Sequence, residues 1–252
     1  GILAHFYKSI SNLEKSINSK SFIPKNVNKR IELVFAPAYI QSGSTVHLFD
    51  YHPKKFNSSI LYYIAGFEDA DGLFPLTSPE IDLMNARYII PGWSVQIAHA
   101  QKYSSPIRYM FPNPLNEAGW QIYVVQKLMN EGFADWDHEY NILELKEEVR
   151  VICQSIIEGK YYSGEMNRKD ALAYFRKEAF LNKREAENLM EQSDLHYFSG
   201  TQALIGMLEI NSLLNEYKKN VGDRFQIIHF HQDILEKGII PFDQLKKQVL
   251  SL

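Results

Sequence analysis

Cysteine is nearly absent from this sequence, since Cys153 is the only one among 252 residues. A single cysteine excludes an intrachain disulfide framework and any zinc site built from several cysteines. Because Cys153 falls within an apolar helical stripe without a neighbouring histidine, we expect a buried thiol rather than a nucleophile. A chain without disulfides can work inside or outside the cell, so the compartment stays open.

Long hydrophobic runs are also missing. No stretch of about 18 apolar residues occurs, so we expect a soluble chain without a membrane-spanning helix. The first residues show no basic segment followed by an apolar core and a cleavage site, so no signal peptide is visible. A first residue of Gly rather than Met suggests that a targeting segment could have been removed.

The sequence has no excess of basic charge. Its 27 Lys and Arg residues are balanced by 30 Asp and Glu residues, which gives a net charge of -3. Nucleic acids and anionic membrane surfaces attract basic proteins, so neither is expected as a partner. A small-molecule, peptide or protein partner fits this composition better, and the composition leaves the oligomeric state open.

Several short catalytic and binding motifs are absent too. The sequence contains no Walker loop, no G-x-G-x-x-G and no G-x-S-x-G nucleophile elbow. Residues 68–72 read Glu-Asp-Ala-Asp-Gly and have the spaced carboxylates of a calcium loop. They are not followed by the closing Glu that an EF-hand requires, so we favour an acidic surface turn.

What the sequence does contain predicts one folded domain over residues 1–252. Hydrophobic residues make up 45% and aromatic residues 13%, which is enough to bury a full core. Apolar residues recur at helical spacing from Ile2 to Ile17. Ile31 to Phe35, Val46 to Tyr51 and Ser58 to Phe67 are typical of strands. Residues 1–77 are therefore predicted to hold a helix and a small β-sheet, and residues 78–252 a helical part.

The helical part begins at Ser78, which we predict as an N-cap before Pro79 and Glu80. This helix is predicted to run to Ile90 and to break at Pro91-Gly92, because proline removes a backbone donor. The following helices are predicted over Glu117–Asn130, Asp137–Gly159, two starts capped by Asn167 and Asn182, Thr201–Asn220, Phe225–Lys237 and Pro241–Leu250. The charged residues of 146–150 are predicted to form a solvated face.

Four segments of the chain resemble, in order, the hallmark sequences of one bacterial family, domain of unknown function 885. Residues 87–96, Arg-Tyr-Ile-Ile-Pro-Gly-Trp-Ser-Val-Gln, follow the frame of H-E-x-x-P-G-H-H-L-Q. Met166–Tyr174 is similar to G-W-[ST]-R-E-Q-A-x-x-Y, and Tyr197–Leu204 to R-Y-x-x-x-P-G-Q-A-L. Gly222–Leu245 is similar to G-D-R-F-x-x-x-x-F-H-D-x-x-L-x-x-G-x-L-P-L-x-x-L.

This resemblance covers roughly residues 22–252 and implies a helical, zincin-like metallopeptidase fold with its site in a groove. It corresponds to the C-terminal catalytic half of longer, zinc-metallopeptidase-like chains, so the sequence could be the C-terminal half of a longer protein. The family's site positions, taken over motif by motif, imply these groove-lining residues: Arg87, Tyr88, Trp93, Ser94, Gln96, Glu117, Trp120 and Tyr162.

The metal ligands implied by the resemblance are missing from this sequence. The family's His, Glu, His and His fall on Arg87, Tyr88, Trp93 and Ser94, and the acid of its E-G-W motif falls on Ala118. Glu117 is one residue earlier, which rotates a helical side chain by about 100° away from the site. Zinc is expected in the family, but we predict no metal site, no cofactor and no catalytic residues here.

Two functions remain open from the sequence. The first is a catalytically inactive metallopeptidase-like protein that acts as a binding or scaffold module for a peptide or protein. In that case the aromatic residues at the site positions either bind the ligand or simply fill the vacated space. The alternative is an active hydrolase, a peptidase with a relocated site that uses Glu117 and His99. His231 is predicted to be a structural histidine that forms hydrogen bonds.

Overall fold

A computed structural model of the chain describes residues 2–24, 31–35, 60–64 and 76–251. Within these ranges the protein is mainly helical with one small sheet, as the sequence predicts. The elements are α1 (Ile2–Ser19), β1 (Ile31–Phe35), β2 (Ile60–Ile64), α2 (Ser78–Tyr88), α3 (Trp93–Tyr103), α4 (Pro106–Met110), α5 (Pro114–Asn130), α6 (His138–Tyr162), α7 (Arg168–Glu178), α8 (Lys183–Leu195), α9 (Ser199–Val221), α10 (Ile227–Glu236) and α11 (Phe242–Leu250).

The two described strands form a parallel pair, in register from Ile31 opposite Ile60 to Phe35 opposite Ile64. They confirm two of the predicted strands; the described residues of the second, 60–64, lie within the predicted Ser58–Phe67. The apolar face of α1 packs on this pair, and the rings of Phe6 and Tyr62 lie 6.0 Å apart. The predicted strand over residues 46–51 and the acidic turn over residues 68–72 lie outside the described residues.

Local capping signals set the helix starts. Thr77, and not the predicted Ser78, caps α2, because its hydroxyl accepts from the Glu80 amide at 3.4 Å and the Glu80 carboxylate accepts from the Thr77 amide at 2.7 Å. This reciprocal pair is a capping box, which needs a spacing of three residues. Asn167 and Asn182 cap α7 and α8 through their side chains, as predicted.

Helices α5 and α9 form the centre of the main core and approach each other closely at two glycines. A Cβ atom on Gly119 would lie 2.2 Å from the Gly206 carbonyl carbon, and one on Gly206 would lie 1.8 Å from the Leu115 carbonyl oxygen. Only glycine fits at such backbone contacts. This close crossing places the buried Trp120 of α5 against the turn between α2 and α3.

A second, smaller core lies between α6, α7 and α8. Its buried members include Phe175, Met190 and Cys153, the last with 5% of its surface exposed. Burial raises the pKa of the Cys153 thiol. The prediction of a buried cysteine is therefore confirmed, and the thiol's raised pKa disfavours the nucleophilic thiolate.

Candidate functional site

The break predicted at Pro91-Gly92 is present, since α2 ends at Tyr88 and α3 begins at Trp93. A Cβ atom on Gly92 would lie 1.7 Å from the Arg87 carbonyl oxygen, so only glycine fits this turn. The indole Nε1 of Trp120 donates to the carbonyl oxygens of Pro91 and Gly92, each at 3.2 Å. Trp120 therefore supports the turn from inside the core.

Ser94 and Gln96 of α3 are buried, each with 4% of its surface exposed. The Gln96 Nε2 atom donates to the Asn116 backbone oxygen at 3.3 Å and to its Oδ1 at 3.2 Å. Asn116 in turn donates to the Ile240 carbonyl oxygen at 2.8 Å. Gln96 thus belongs to a hydrogen-bond network that connects α3, α5 and the segment before α11, and Ser94 is buried on the same helix.

Glu117 lies against Trp93, which donates its indole N–H to the Glu117 carboxylate at 2.6 Å. We expected Glu117 to point away from the site, and the structure places it differently because Trp93 reaches across the first turn of α5. Burial raises the pKa of Glu117, while the bond from Trp93 acts in the opposite direction. The pair joins the two helices that carry the motif frame.

Arg87 forms an ion pair with Glu147 of α6. The Nε–H group of Arg150 donates a hydrogen bond to the second oxygen of the same carboxylate, with an N–O distance of 2.6 Å. Burial alone would raise the pKa of Glu147, but Arg150 and Arg87 outweigh it and lower the pKa to about 2. The prediction that residues 146–150 form a solvated face holds only in part: the side chains of Glu147 and Arg150 are 34% and 22% exposed, and they face the cavity beside α2 and α8.

The polar network continues along α6 to the start of α9. Arg150 donates to Gln154 at 3.3 Å, and Gln154 donates to Glu158 at 3.1 Å. Glu158, with 1% of its surface exposed, accepts from the Gly200 amide at 3.0 Å and the Thr201 amide at 2.8 Å. Its carboxylate therefore satisfies the first amides of α9, where the helix dipole favours negative charge.

Sequence reasoning did not single out Glu158. The signal that could have found it is the spacing of Arg150, Gln154 and Glu158 by four residues, which places all three on one side of α6. Polar side chains in such a row, next to an apolar row, indicate a buried network when a second helix covers them.

Tyr162 lies at the far end of α6, about 22 Å along the helix axis from Glu147 at about 1.5 Å per residue. Its hydroxyl donates to the Ser193 carbonyl oxygen at 2.6 Å, and its ring contacts Tyr197 and Phe198 with centroid separations of 5.5 and 5.0 Å. Burial raises the pKa of Tyr162 to about 12. Tyr162 belongs to an aromatic cluster at the α8–α9 connection.

A cavity of about 490 Å³ opens between α2, α5, α6 and α8. Of the predicted site residues, Arg87 and Tyr88 line it, and the other six occupy the positions described above. Its apolar wall contains Leu76, Leu83, Met84, Ile122, Val125, Leu143, Leu181 and Leu189. Its charged wall contains Glu80, Arg87, Glu144, Lys146, Glu147, Glu148, Arg150, Arg184 and Glu185.

Among these groups Glu144 has a shifted protonation equilibrium. Burial and the neighbouring Glu148 raise the pKa of Glu144 to about 7, against a lowering effect of a hydrogen bond with Gln126. Glu144 precedes Glu147 by one helical turn. The charge on this part of the cavity wall therefore changes near neutral pH.

The two histidines considered from the sequence are both buried. His231 contacts the Phe22 carbonyl oxygen at 2.6 Å and the Tyr123 hydroxyl at 3.0 Å, and burial lowers its pKa to about 3. The prediction of a structural histidine is confirmed. His99 has 1% of its surface exposed and contacts the Val95 carbonyl oxygen at 2.9 Å through Nδ1. Burial at this depth keeps a substrate away from His99.

The described residues do not fit a zinc ion. Within the ranges 2–24, 31–35, 60–64 and 76–251, no three His, Cys, Asp or Glu side chains come together as a metal site. Arg87 and Trp93, at two ligand positions of the motif frame, have only hydrogen-bond donors. His47 and His52 lie outside the described part of the chain, in which no helix is long and apolar enough to cross a membrane.

Comparison with known proteins identifies a family and solved structures with the same fold. The profile of the family described as "Bacterial protein of unknown function (DUF885)" matches residues 1–249. A candidate lipoprotein of unknown function from Shewanella oneidensis shares the fold with a TM-score of 0.79 and 20% identity, over 98% of this chain and 45% of that one. A candidate lipoprotein from Colwellia psychrerythraea has a TM-score of 0.85 and 18% identity, over 98% of this chain and 42% of that one. This chain spans less than half the length of either relative, and no curated protein matches it.

Proposed function

The chain belongs to the bacterial family of unknown function DUF885, and from this premise we propose that it is a catalytically inactive, metallopeptidase-like binding module. In this proposal a zincin-like fold has lost its metal site, and the cavity between α2, α5, α6 and α8 holds a segment of a peptide or protein.

The observation that carries the proposal is the ion pair between Arg87 and Glu147 on the cavity wall. Arg87 occupies the position of the first histidine in the motif frame. A guanidinium group has no lone pair to ligate a metal and its charge repels a cation. The carboxylate of Glu147 is bound by both Arg87 and Arg150, so it is not available to ligate a metal either.

The size and lining of the cavity support binding. A volume of about 490 Å³ lies within the range of about 300–1,000 Å³ that is usual for ligand pockets. Leu83, Met84 and Ile122 provide apolar surface beside the charged groups. In contrast, Trp120 is buried with 1% exposure and Trp93 is bonded to Glu117, which favours a packing role for these two aromatic residues.

A metal analysis combined with peptide binding tests the proposal. We expect purified protein to contain no stoichiometric zinc and to bind apolar peptides with an affinity that a chelator does not change. Met84→Arg places a charged side chain in the cavity and should abolish binding. Leu208→Arg is the matched control, because Leu208 lies on α9 with 55% of its surface exposed and is not part of the cavity wall.

Stoichiometric zinc, together with peptidase activity that is lost on chelation, would overturn the proposal. Peptide hydrolysis that persists without metal and is lost in Glu117→Gln and His99→Ala would instead support the alternative of a hydrolase with a relocated site.

A further inference from the structure

The cavity wall holds five glutamates and four basic residues, but beside Arg87 two arginines share one carboxylate. Arg87 and Arg150 both bind the carboxylate of Glu147, so these three groups together have one excess positive charge. The next carboxylate in the network, Glu158, is already bonded to the Gly200 and Thr201 amides at the start of α9. Glu158 keeps its negative charge there and acts on Arg150, but it lies about two turns of α6 further along, so Glu147 is the carboxylate in contact with both arginines.

Arg87 also has a hydrogen-bond donor that is not used. Its Nε atom is buried and has no hydrogen-bond partner within the described part of the chain. The side chain as a whole keeps 19% of its surface exposed, and it forms part of the cavity wall. The exposed part of this guanidinium group, rather than its buried Nε atom, can donate hydrogen bonds to a second carboxylate in the cavity.

Apolar surface lies directly beside this cationic group. Leu83 and Met84 precede Arg87 by one turn of α2 and line the same cavity. Ile122 of α5 and Leu189 of α8, both 5% exposed, contribute to the opposite walls. A carboxylate bound at Arg87 would therefore have an apolar pocket next to it for the attached side chain.

We propose that the cavity takes the C-terminal end of a peptide, with its free carboxylate bound by Arg87 and Arg150 and its last, apolar side chain packed against Leu83, Met84 and Ile122. This inference rests on the proposed peptide-binding function and names the class of ligand. It is independent of any hydrolytic chemistry.

The remaining charges on the wall predict how binding depends on pH. The groups that face this site are Glu80 and Arg87 of α2, Glu144, Lys146, Glu147, Glu148 and Arg150 of α6, and Arg184 and Glu185 of α8. Because the pKa of Glu144 is about 7, its carboxylate gains charge between pH 6 and pH 8. A negative charge one turn from Glu147 repels an anionic ligand, so affinity should fall by roughly threefold over this interval.

The test compares acetyl-Ala-Leu-Leu with a free carboxylate, its C-terminal amide and acetyl-Leu-Glu-Leu amide, by isothermal titration calorimetry. A charge-assisted hydrogen bond lost in the amide should weaken binding by on the order of tenfold or more. Arg87→Gln should remove the preference for the free acid, whereas Arg176→Gln, at an exposed arginine of α7 outside the cavity wall, should keep it. Circular dichroism confirms that both variants fold.

The outcomes separate this inference from the function on which it rests. Equal binding of acid and amide would overturn the inference and leave peptide binding intact, whereas no binding of any peptide would overturn both. Equally tight binding of the peptide with the internal Glu, or of decanoate, would overturn the assignment to a peptide C-terminus. If Arg87→Gln does not fold, the unaltered chain still tests the inference. It should bind the acid more tightly than the amide, and this difference should decrease from pH 6 to pH 8.

Discussion

Replacing Glu158 by Gln should strongly destabilise the protein. The Glu158 carboxylate accepts hydrogen bonds from the Gly200 amide at 3.0 Å, the Thr201 amide at 2.8 Å and the Thr201 hydroxyl at 2.8 Å. With 1% of its surface exposed, the site admits no solvent to replace a lost acceptor. Gln has the same shape but brings an NH₂ group toward backbone donors and removes the charge.

The magnitude follows from these contacts. Hydrogen bonds to a charged group contribute about 1.5–3 kcal/mol each, and charge at a partly buried helix terminus contributes up to about 2 kcal/mol. Because Gln retains one acceptor oxygen, only part of this is lost, and we expect a decrease of about 3 kcal/mol in the free energy of unfolding. For a chain of this size that corresponds to a decrease in Tm of roughly 6–12 °C.

Urea unfolding followed by circular dichroism measures this change. The matched control is Glu165→Gln, because Glu165 is an exposed residue of the α6–α7 connection and its replacement should change stability by less than about 0.5 kcal/mol. A loss below about 1 kcal/mol for Glu158→Gln would refute the conclusion that this carboxylate is a buried cap of α9.

Two further predictions concern the helix crossing and the ion pairs. Gly206→Ala would place a Cβ atom 1.8 Å from a backbone oxygen of α5 and should cost about 3 kcal/mol, whereas Gly159→Ala, with open space around it, should be neutral or stabilising. Thermal unfolding of the two variants compares them. Because ion pairs lower the pKa of Glu147 to about 2, from an ordinary 4.5, its stabilising effect is complete above pH 4.5 and is lost as the pH falls toward 2. Glu147→Gln should therefore be less stable than the unaltered chain at pH 7, and urea titrations at pH 7 and pH 3 should show this difference shrinking in acid.

The helices were predictable because their starts depend on residues close in the sequence. Asn167 and Asn182 cap α7 and α8 as predicted, since an Asn three residues before an acid is sufficient to form the cap. The start of α2 was misplaced by one residue, because Ser78 and Thr77 are both good caps and only the position of Glu80 decides between them. The helix α5 begins at Pro114, three residues before the predicted Glu117, because Asn113 caps it and Pro114 occupies its first position.

The candidate site was predictable only in part. The motif frame located the turn at Pro91-Gly92 and the two helices beside it, but not the cavity, to which α6 and α8 contribute much of the wall. Glu147 and Arg150 were interpreted as solvated because charged residues on a helix usually are. Their partial burial in the cavity wall depends on α2 and α8, which are separate elements of the chain.

The sequence by itself determined the helical character, the helix caps and the break at Pro91-Gly92, because each depends on backbone preferences and contacts within a few residues. The tertiary structure decided which side of α6 is buried, which carboxylate receives Arg87 and where a ligand could enter. These depend on how α2, α5, α8 and α9 pack around α6, since desolvation and ion pairing are set by neighbours far apart along the chain.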